Sequence, residues 1–172
     1  LSIRRQRQMC IRDSVMTGTT SNDIITGTSA NEYLSGLAGD DILSGGAGND
    51  LIEGGDGNDR IKFGLNDGQD QIIQNDTNAA ETYNDVIAFE NDISYDALWF
   101  SRSDNDLQIN VEGTDDQITI SNWYDGTEHQ LDQFESGSMV LMNNQIDQLV
   151  SAMAAYDVPM GAGNVIPQDV KD

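Results

Sequence analysis

Residues 45–61 read GGAGNDLIEGGDGNDRI, one phrase given twice, nine residues apart. A strict short period this rich in glycine constrains the fold more than any other feature of the chain. A helix interior loses roughly 1 kcal/mol for each glycine relative to alanine, and a flexible linker keeps no register. From residue 18 the chain divides into nines: GTTSNDIIT, GTSANEYLS, GLAGDDILS, GGAGNDLIE and GGDGNDRIK. Position one is always glycine (Gly18, Gly27, Gly36, Gly45, Gly54), and position six is always an acid (Asp23, Glu32, Asp41, Asp50, Asp59). Position eight is always aliphatic (Ile25, Leu34, Leu43, Ile52, Ile61). After a two-residue insertion a sixth unit, LNDGQDQI, supplies Gly68, Asp70 and Ile72, and NDVI around Asp85 and Ile87 reads as a degenerate further turn.

The first six positions of each unit are turn formers: glycine permits positive φ and close backbone approach, and Asn and Asp tolerate the left-handed region. The last three place one aliphatic side chain between two mostly non-aliphatic neighbours, which is a very short strand with one residue facing inward. Alone, such a unit buries almost nothing. Stacked, the units bury a column of Ile and Leu between parallel strands, and their turns leave carboxylates and carbonyls facing one gap. Hard oxygen donors without histidine or thiolate select Ca²⁺ or, less well, Mg²⁺.

Charge points the same way. Asp and Glu number 30 against 8 Lys and Arg, a net charge of −22. Nucleic acid is excluded as a partner because phosphate binding needs a basic face, and anionic membrane surfaces are disfavoured for the same reason. Self-repulsion on this scale opposes compaction, and a hydrophobic content of 37% offsets little of it. The bare chain is therefore expected to fold poorly until something positive joins it. No apolar run is long enough to span a bilayer, no apolar leader of an ordinary signal peptide is visible, and the single Cys10 allows no internal disulfide. Residues 1–14, LSIRRQRQMCIRDS, hold four of the eight basic residues and no repeat, and read as translated adapter sequence or a basic linker outside the fold.

The nonapeptide resembles the G-G-x-G-x-D-x-U-x signature of the RTX (repeats-in-toxin) calcium-binding family. The resemblance implies a parallel β-roll with two nonapeptides per coil and calcium ions held between successive turns on the same side. Its metal ligands would be the position-six carboxylates, pairing Asp23 with Asp41 and Asp41 with Asp59 on one side, and Glu32 with Asp50 and Asp50 with Asp70 on the other. Gly36, Gly39, Gly45, Gly46, Gly48, Gly54, Gly55 and Gly57 would complete the metal-binding turns. Units four and five fit the signature fully, whereas unit three has Leu37 at the second glycine. Units one and two carry Thr19 and Thr28 there, Ser21 and Ala30 at position four, and Glu32 replaces Asp in the second. Those side chains restrict the turn, so the first two turns are expected to bind weakly or to act as a cap. A glycine-rich phosphate loop does not fit, since no G-K-[ST] follows and the surroundings are acidic.

From about residue 84 glycine thins and alternation appears. Leu107, Ile109 and Val111, then Ile118 and Ile120, alternate with polar residues and predict antiparallel half-buried strands joined by EGTDD at 112–116. Trp99, Phe100, Trp123 and Tyr124 are expected to fill the seam against the roll, with an aromatic ligand platform as the alternative. SDNDLQINVEGTDDQITISNWY and LDQFESGS resemble the haemolysin-type calcium-binding-related region, which in that family closes the open end of the roll. Closure is also demanded by the physics of exposed sheet edges. NQIDQLVSAMAAYDVP at 144–159 has helical spacing in Ile146, Leu149, Val150 and Met153, with Pro159 as its stop. It reads as a core-packing helix, or otherwise one that docks a partner.

His129, the only histidine, is expected at the surface: it cannot build a His-rich zinc site, and no nucleophile motif accompanies it. No pair of carboxylates stands apart from the calcium pattern as a glycosidase pair would. The expectation is an all-β chain: a parallel β-roll of nonapeptide repeats at 15–83, capped by a small antiparallel β region with one C-terminal helix at 84–158, and a disordered tail at 159–172. Its expected function is a non-enzymatic calcium-binding module, the C-terminal part of a larger secreted protein whose catalytic domain would lie upstream. The family resemblance implies an uncleaved C-terminal signal read by a type I secretion apparatus, and folding on calcium outside the cell. An adhesin or glycan-binding module with a cell-surface partner is the alternative.

Overall fold

The computed structural model describes residues 13–75, 83–90 and 92–156. The period of nine becomes an alternation between two sheets. One sheet takes β1 (Ser14–Thr17), β3 (Glu32–Ala38), β5 (Leu51–Asp56) and β7 (Gln69–Ile73) as parallel neighbours. The other takes β2 (Ile24–Thr26), β4 (Ile42–Ser44), β6 (Arg60–Phe63) and β8 (Val86–Phe89), also parallel. Two nonapeptides therefore make one coil, and equivalent residues meet in register: Met16↔Leu34↔Ile52↔Ile72 in the first sheet and Ile25↔Leu43↔Ile61↔Ile87 in the second. Each strand is too short to be stable alone, so the position-eight column carries the stack. Leu34, Leu43, Ile52, Ile61, Ile72 and Ile87 are all buried. At about 25 cal/mol per Å² of apolar surface, such columns are the main favourable term available to units this small.

Two boundaries differ from those read in the sequence. β1 begins at Ser14 and Asp13 donates from its amide to the Asn31 carbonyl, so the last residues of the basic segment already lie in the first coil. At the other end β8 pairs in register with β6, so the stack continues past residue 84.

The closing region is built from β9 (Leu98–Ser103), β10 (Asp106–Val111), β11 (Gln117–Ile120), β12 (Gln133–Ser136) and β13 (Met139–Met142). β10 pairs antiparallel with β11 and with β9, as the alternation predicts. The cap nevertheless grows out of the roll rather than sitting across it. β11 adds in parallel to β7 and β12 in parallel to β8, which extends the two sheets to seven and six strands.

α1 (Asn143–Met153) packs on β9 and β13 with Ile146 and Met153 buried. It ends short of the predicted stop at Pro159, which lies outside the described residues, as does the 159–172 tail. Trp99, Phe100 and Trp123 are buried in this core, and Phe134 stacks edgewise with Phe100 and at a tilt with Trp123, each at 5.7 Å between ring centroids. Tyr124 is half-buried beneath Arg102, whose guanidinium lies 4.1 Å from the ring centroid. Both tryptophans are thus core residues, which leaves no tryptophan platform at the surface.

Candidate metal centre

The turns joining the two sheets stack along both sides of the roll, and each side carries a column of carboxylates one coil apart. On one side the Asp23 amide donates to Asp41 Oδ1 (2.7 Å), the Asp41 amide to Asp59 Oδ1 (2.9 Å), and the Asp59 amide to Asp85 Oδ1 (2.8 Å). On the other, the Glu32 amide donates to Asp50 Oδ1 (2.7 Å) and the Asp50 amide to Asp70 Oδ1 (2.9 Å). Four of these contacts join carboxylates that the family resemblance would pair as metal ligands, and the fifth, from Asp59 to Asp85, adds a neighbour that the sequence reading did not pair. One oxygen of each carboxylate thus ties its coil to the previous one.

The second oxygen points elsewhere. Oδ2 of Asp41 and Oδ2 of Asp70 are buried and accept no hydrogen bond. A carboxylate oxygen in that state is expensive unless a cation reaches it. The space beside Asp41 is made by glycine. A β-carbon built on Gly36 would lie 2.2 Å from Asp41 Oδ2 and 2.5 Å from the carbonyl oxygen of Gly54, one coil on. On Gly45 and Gly54 it would lie 2.2 Å from Oδ2 of Asp50 and Asp59 respectively. Position one is glycine because a carboxylate and a neighbouring carbonyl converge where a side chain would otherwise stand. Gly39, Gly46, Gly48, Gly55 and Gly57 all have positive φ in the turns above these carboxylates. Gly48 and Gly57 pack so closely on the preceding coil that a β-carbon would lie 2.1 Å from the carbonyl oxygens of Ala30 and Gly39. Among the described residues no three His, Cys, Asp or Glu side chains gather at one point. The donor set is instead carboxylate plus main-chain carbonyl, all hard oxygen, and this fits Ca²⁺.

Burial dominates the electrostatics. It pushes the Asp41 carboxyl above the usual carboxylate range, and the Asp70 carboxyl up to about 8, where the charges of Asp50, Asp67 and Asp116 add to the effect. Glu32 behaves oppositely: the Thr28 hydroxyl and amide bonded to it hold its carboxyl low. The Thr19 amide and hydroxyl likewise donate to Asp23 Oδ2, at 2.6 and 2.8 Å. The threonines at the second glycine position therefore hydrogen-bond their own unit's carboxylate in the first two turns.

Two sets of participants were not singled out from the sequence. Position five forms a second ladder running the opposite way: the Asp40 amide donates to Asn22 Oδ1 (3.0 Å), the Asn58 amide to Asp40 Oδ1 (3.0 Å) and the Asn84 amide to Asn58 Oδ1 (2.9 Å). The facing side repeats it with Asn31, Asn49 and Gln69. The signal is an Asn or Asp at this position in all five regular units, which turn propensity alone is enough to explain. Second, Asp132 prolongs the position-six column beyond Asp85, the acid of the degenerate NDVI turn, whose amide donates to Asp132 Oδ2 at 3.0 Å. Asp132 follows no period and had no signal. Gly68 pairs with Gly48 in an isolated bridge, which makes it the position-four glycine of its unit. His129 is half-buried rather than a free surface residue, its Nδ1 lying 3.0 Å from the Gln74 carbonyl oxygen.

The family model for the RTX calcium-binding nonapeptide repeat (4 copies) matches residues 13–43, 26–61 and 35–72. That for the haemolysin-type calcium binding protein related domain matches residues 106–135. Among solved structures, the extracellular lipase LipA from Serratia marcescens is 21% identical, with a TM-score of 0.33 over 61% of this chain. The chain spans only 18% of that lipase's length. The AlgE6R3 subunit of the Azotobacter vinelandii mannuronan C5-epimerase is 20% identical, with a TM-score of 0.35 over 88% of this chain and 91% of that one. With its columns of buried carboxylates, its glycine-lined turns and these two matched segments, the chain carries the calcium-binding nonapeptide repeats of the RTX family and takes Ca²⁺ at multiple sites.

Proposed function

We propose that this chain is a calcium-triggered folding module, the C-terminal part of a larger protein exported by a type I apparatus. The observation that carries the reading is the stack of buried Asp carboxylates, in which Asp41 and Asp70 each keep one buried oxygen without a hydrogen bond, that of Asp41 in a glycine-lined turn. Asp41 and Asp59 on one side, and Asp50 and Asp70 on the other, hold the ions together with carbonyls of the adjoining coils. Asp23 and Glu32, already bonded to Thr19 and Thr28, take the outer and weaker places. Calcium supplies the positive charge that lets facing carboxylates stay ionised and close together.

Without it, the columns repel and the short strands of the roll have little to hold them. Such a chain stays loose in a compartment poor in calcium, which suits passage through a narrow channel. Extracellular modules commonly bind calcium with dissociation constants of about 10⁻⁴–10⁻³ M. Where a site exists only in the folded state, binding free energy is folding free energy, about 2.7 kcal/mol per independent site at a hundredfold excess of calcium. No catalytic role falls to these residues, and any activity of the parent resides in another part of it. Circular dichroism and tryptophan fluorescence, followed as calcium is added to chelator-treated protein, test the reading. Strand signal and burial of Trp99 and Trp123 should develop together at sub-millimolar to millimolar calcium. A chain fully strand-rich in chelator would overturn it.

A further inference from the structure

In the sheet register Ile52 faces Ile72 and Glu53 faces Ile73, so Gln74 stands where the preceding coil has Gly54. Every regular unit has glycine at this place, against the second oxygen of its own carboxylate. Here the place is filled. Gln74 is 1% exposed, and its Nε2 donates to Asp85 Oδ2 at 2.5 Å. Asp85 Oδ1 accepts from the Asp59 amide, so both oxygens of Asp85 are bonded, whereas Asp41 in the same column keeps Oδ2 without a hydrogen bond.

From this we infer that Gln74 is a built-in stop to the calcium column: its side-chain amide takes the place an ion would take, and Asp85 is a structural carboxylate that binds no metal. Calcium needs six to eight oxygen donors. At Asp85 the oxygen facing the turn already has an N–H, and a side chain occupies the volume that glycine leaves open elsewhere. The main chain on either side of this bond is held in place, since the backbone carbonyl oxygen of Gln74 lies against His129 Nδ1 and the backbone amide of Asp85 donates to Asp132 Oδ2. The opposite side ends in the same manner by other means: the oxygens of Asp116 accept from the amides of Asn66 (2.9 Å) and Gly68 (3.1 Å). The roll therefore joins its cap through hydrogen bonds, and the metal-dependent part of the molecule has a defined end at Asp59 and Asp70.

The inference rests on the reading of Asp41, Asp50, Asp59 and Asp70 as calcium ligands, and one comparison separates the two. Bound calcium per folded chain is measured by equilibrium dialysis for the unaltered protein, Asp59→Asn and Asp85→Asn. Asp85→Asn keeps an oxygen for the Asp59 amide, and rotation of the Gln74 amide satisfies the new NH₂. It should retain the full complement of ions, while Asp59→Asn should lose at least one. Equal losses in both variants overturn the stop; an unaltered protein that binds no calcium overturns the underlying reading. Crystals of the unaltered chain grown with terbium give the answer without a variant. Anomalous density should appear beside Asp59, and density in coordination range of Asp85 refutes the inference.

Discussion

Leu37 shows what the repeat demands of a single residue. It replaces the second glycine of its unit and sits at φ = 80° while 46% exposed. A non-glycine residue in the left-handed region costs roughly 1–2 kcal/mol, and partial burial offsets only some of it. Leu37→Gly should therefore stabilise the calcium-loaded protein by about 1 kcal/mol, after allowing for the greater freedom glycine gives the unfolded chain. Thermal melts at fixed calcium will show it, and an unchanged or lower midpoint would mean the turn has relaxed around leucine. Position one behaves oppositely. Gly36→Ala places a methyl group 2.2 Å from Asp41 Oδ2, so calcium affinity should fall along with stability, and a calorimetric titration with unaltered affinity would contradict that placement.

The elements were legible in the sequence to the extent that they kept the period. Positions one, six and eight revealed the coil, its inward column and its carboxylates, because each answers to one physical requirement: space, charge and burial. Where the period lapses, the reading lapses with it. The insertion before Asp85 hides the fact that Gln74 occupies a glycine place, which only strand register shows. The position-five ladder was hidden for another reason, since an Asn in a turn already has a local explanation. That ladder has a measurable weight. Asn58 Oδ1 accepts from Asn84 while the Asn58 amide and side chain both donate to Asp40 Oδ1. Asn58→Ala removes the side-chain bonds and should cost about 1–2 kcal/mol with the bound calcium count unchanged. A fall in that count would make position five part of the metal site. The alternation at 107–120 predicted the β10–β11 hairpin correctly, but the strands' attachment to the roll is a long-range choice that no local pattern encodes.

For the whole molecule the acidic surplus becomes a dependence on pH. The folded, metal-free Asp70 carboxyl holds its proton up to about 8, against an ordinary value of 3.8. Between those values the folded state binds more protons than the unfolded state, so stability falls as pH rises, and the contribution of the protonated carboxyl is complete below about 4 and gone above about 8. In chelator the chain should thus be looser at pH 8 than at pH 5, where the protonated carboxyls repel less. Calcium should reverse the order, because it displaces the proton and binds more tightly as pH rises. Strand content by circular dichroism in chelator and urea titrations with calcium, each at both pH values, decide it; an identical order under the two conditions would remove Asp70 from the metal sites.

The clasp between neighbouring turns, one bond donated forward and one back, is the same at every step of 18 residues. Coils are consequently interchangeable parts, and the length of the rod is quantised. Excising residues 36–53 splices Ser35 onto Gly54 with every later strand still in its own sheet, whereas excising 45–53 alone sends each downstream strand to the opposite wall. A lineage carrying this architecture can grow or shrink by whole coils and is barred from half-steps, much as a spiral staircase can lose a full turn and still reach the same door.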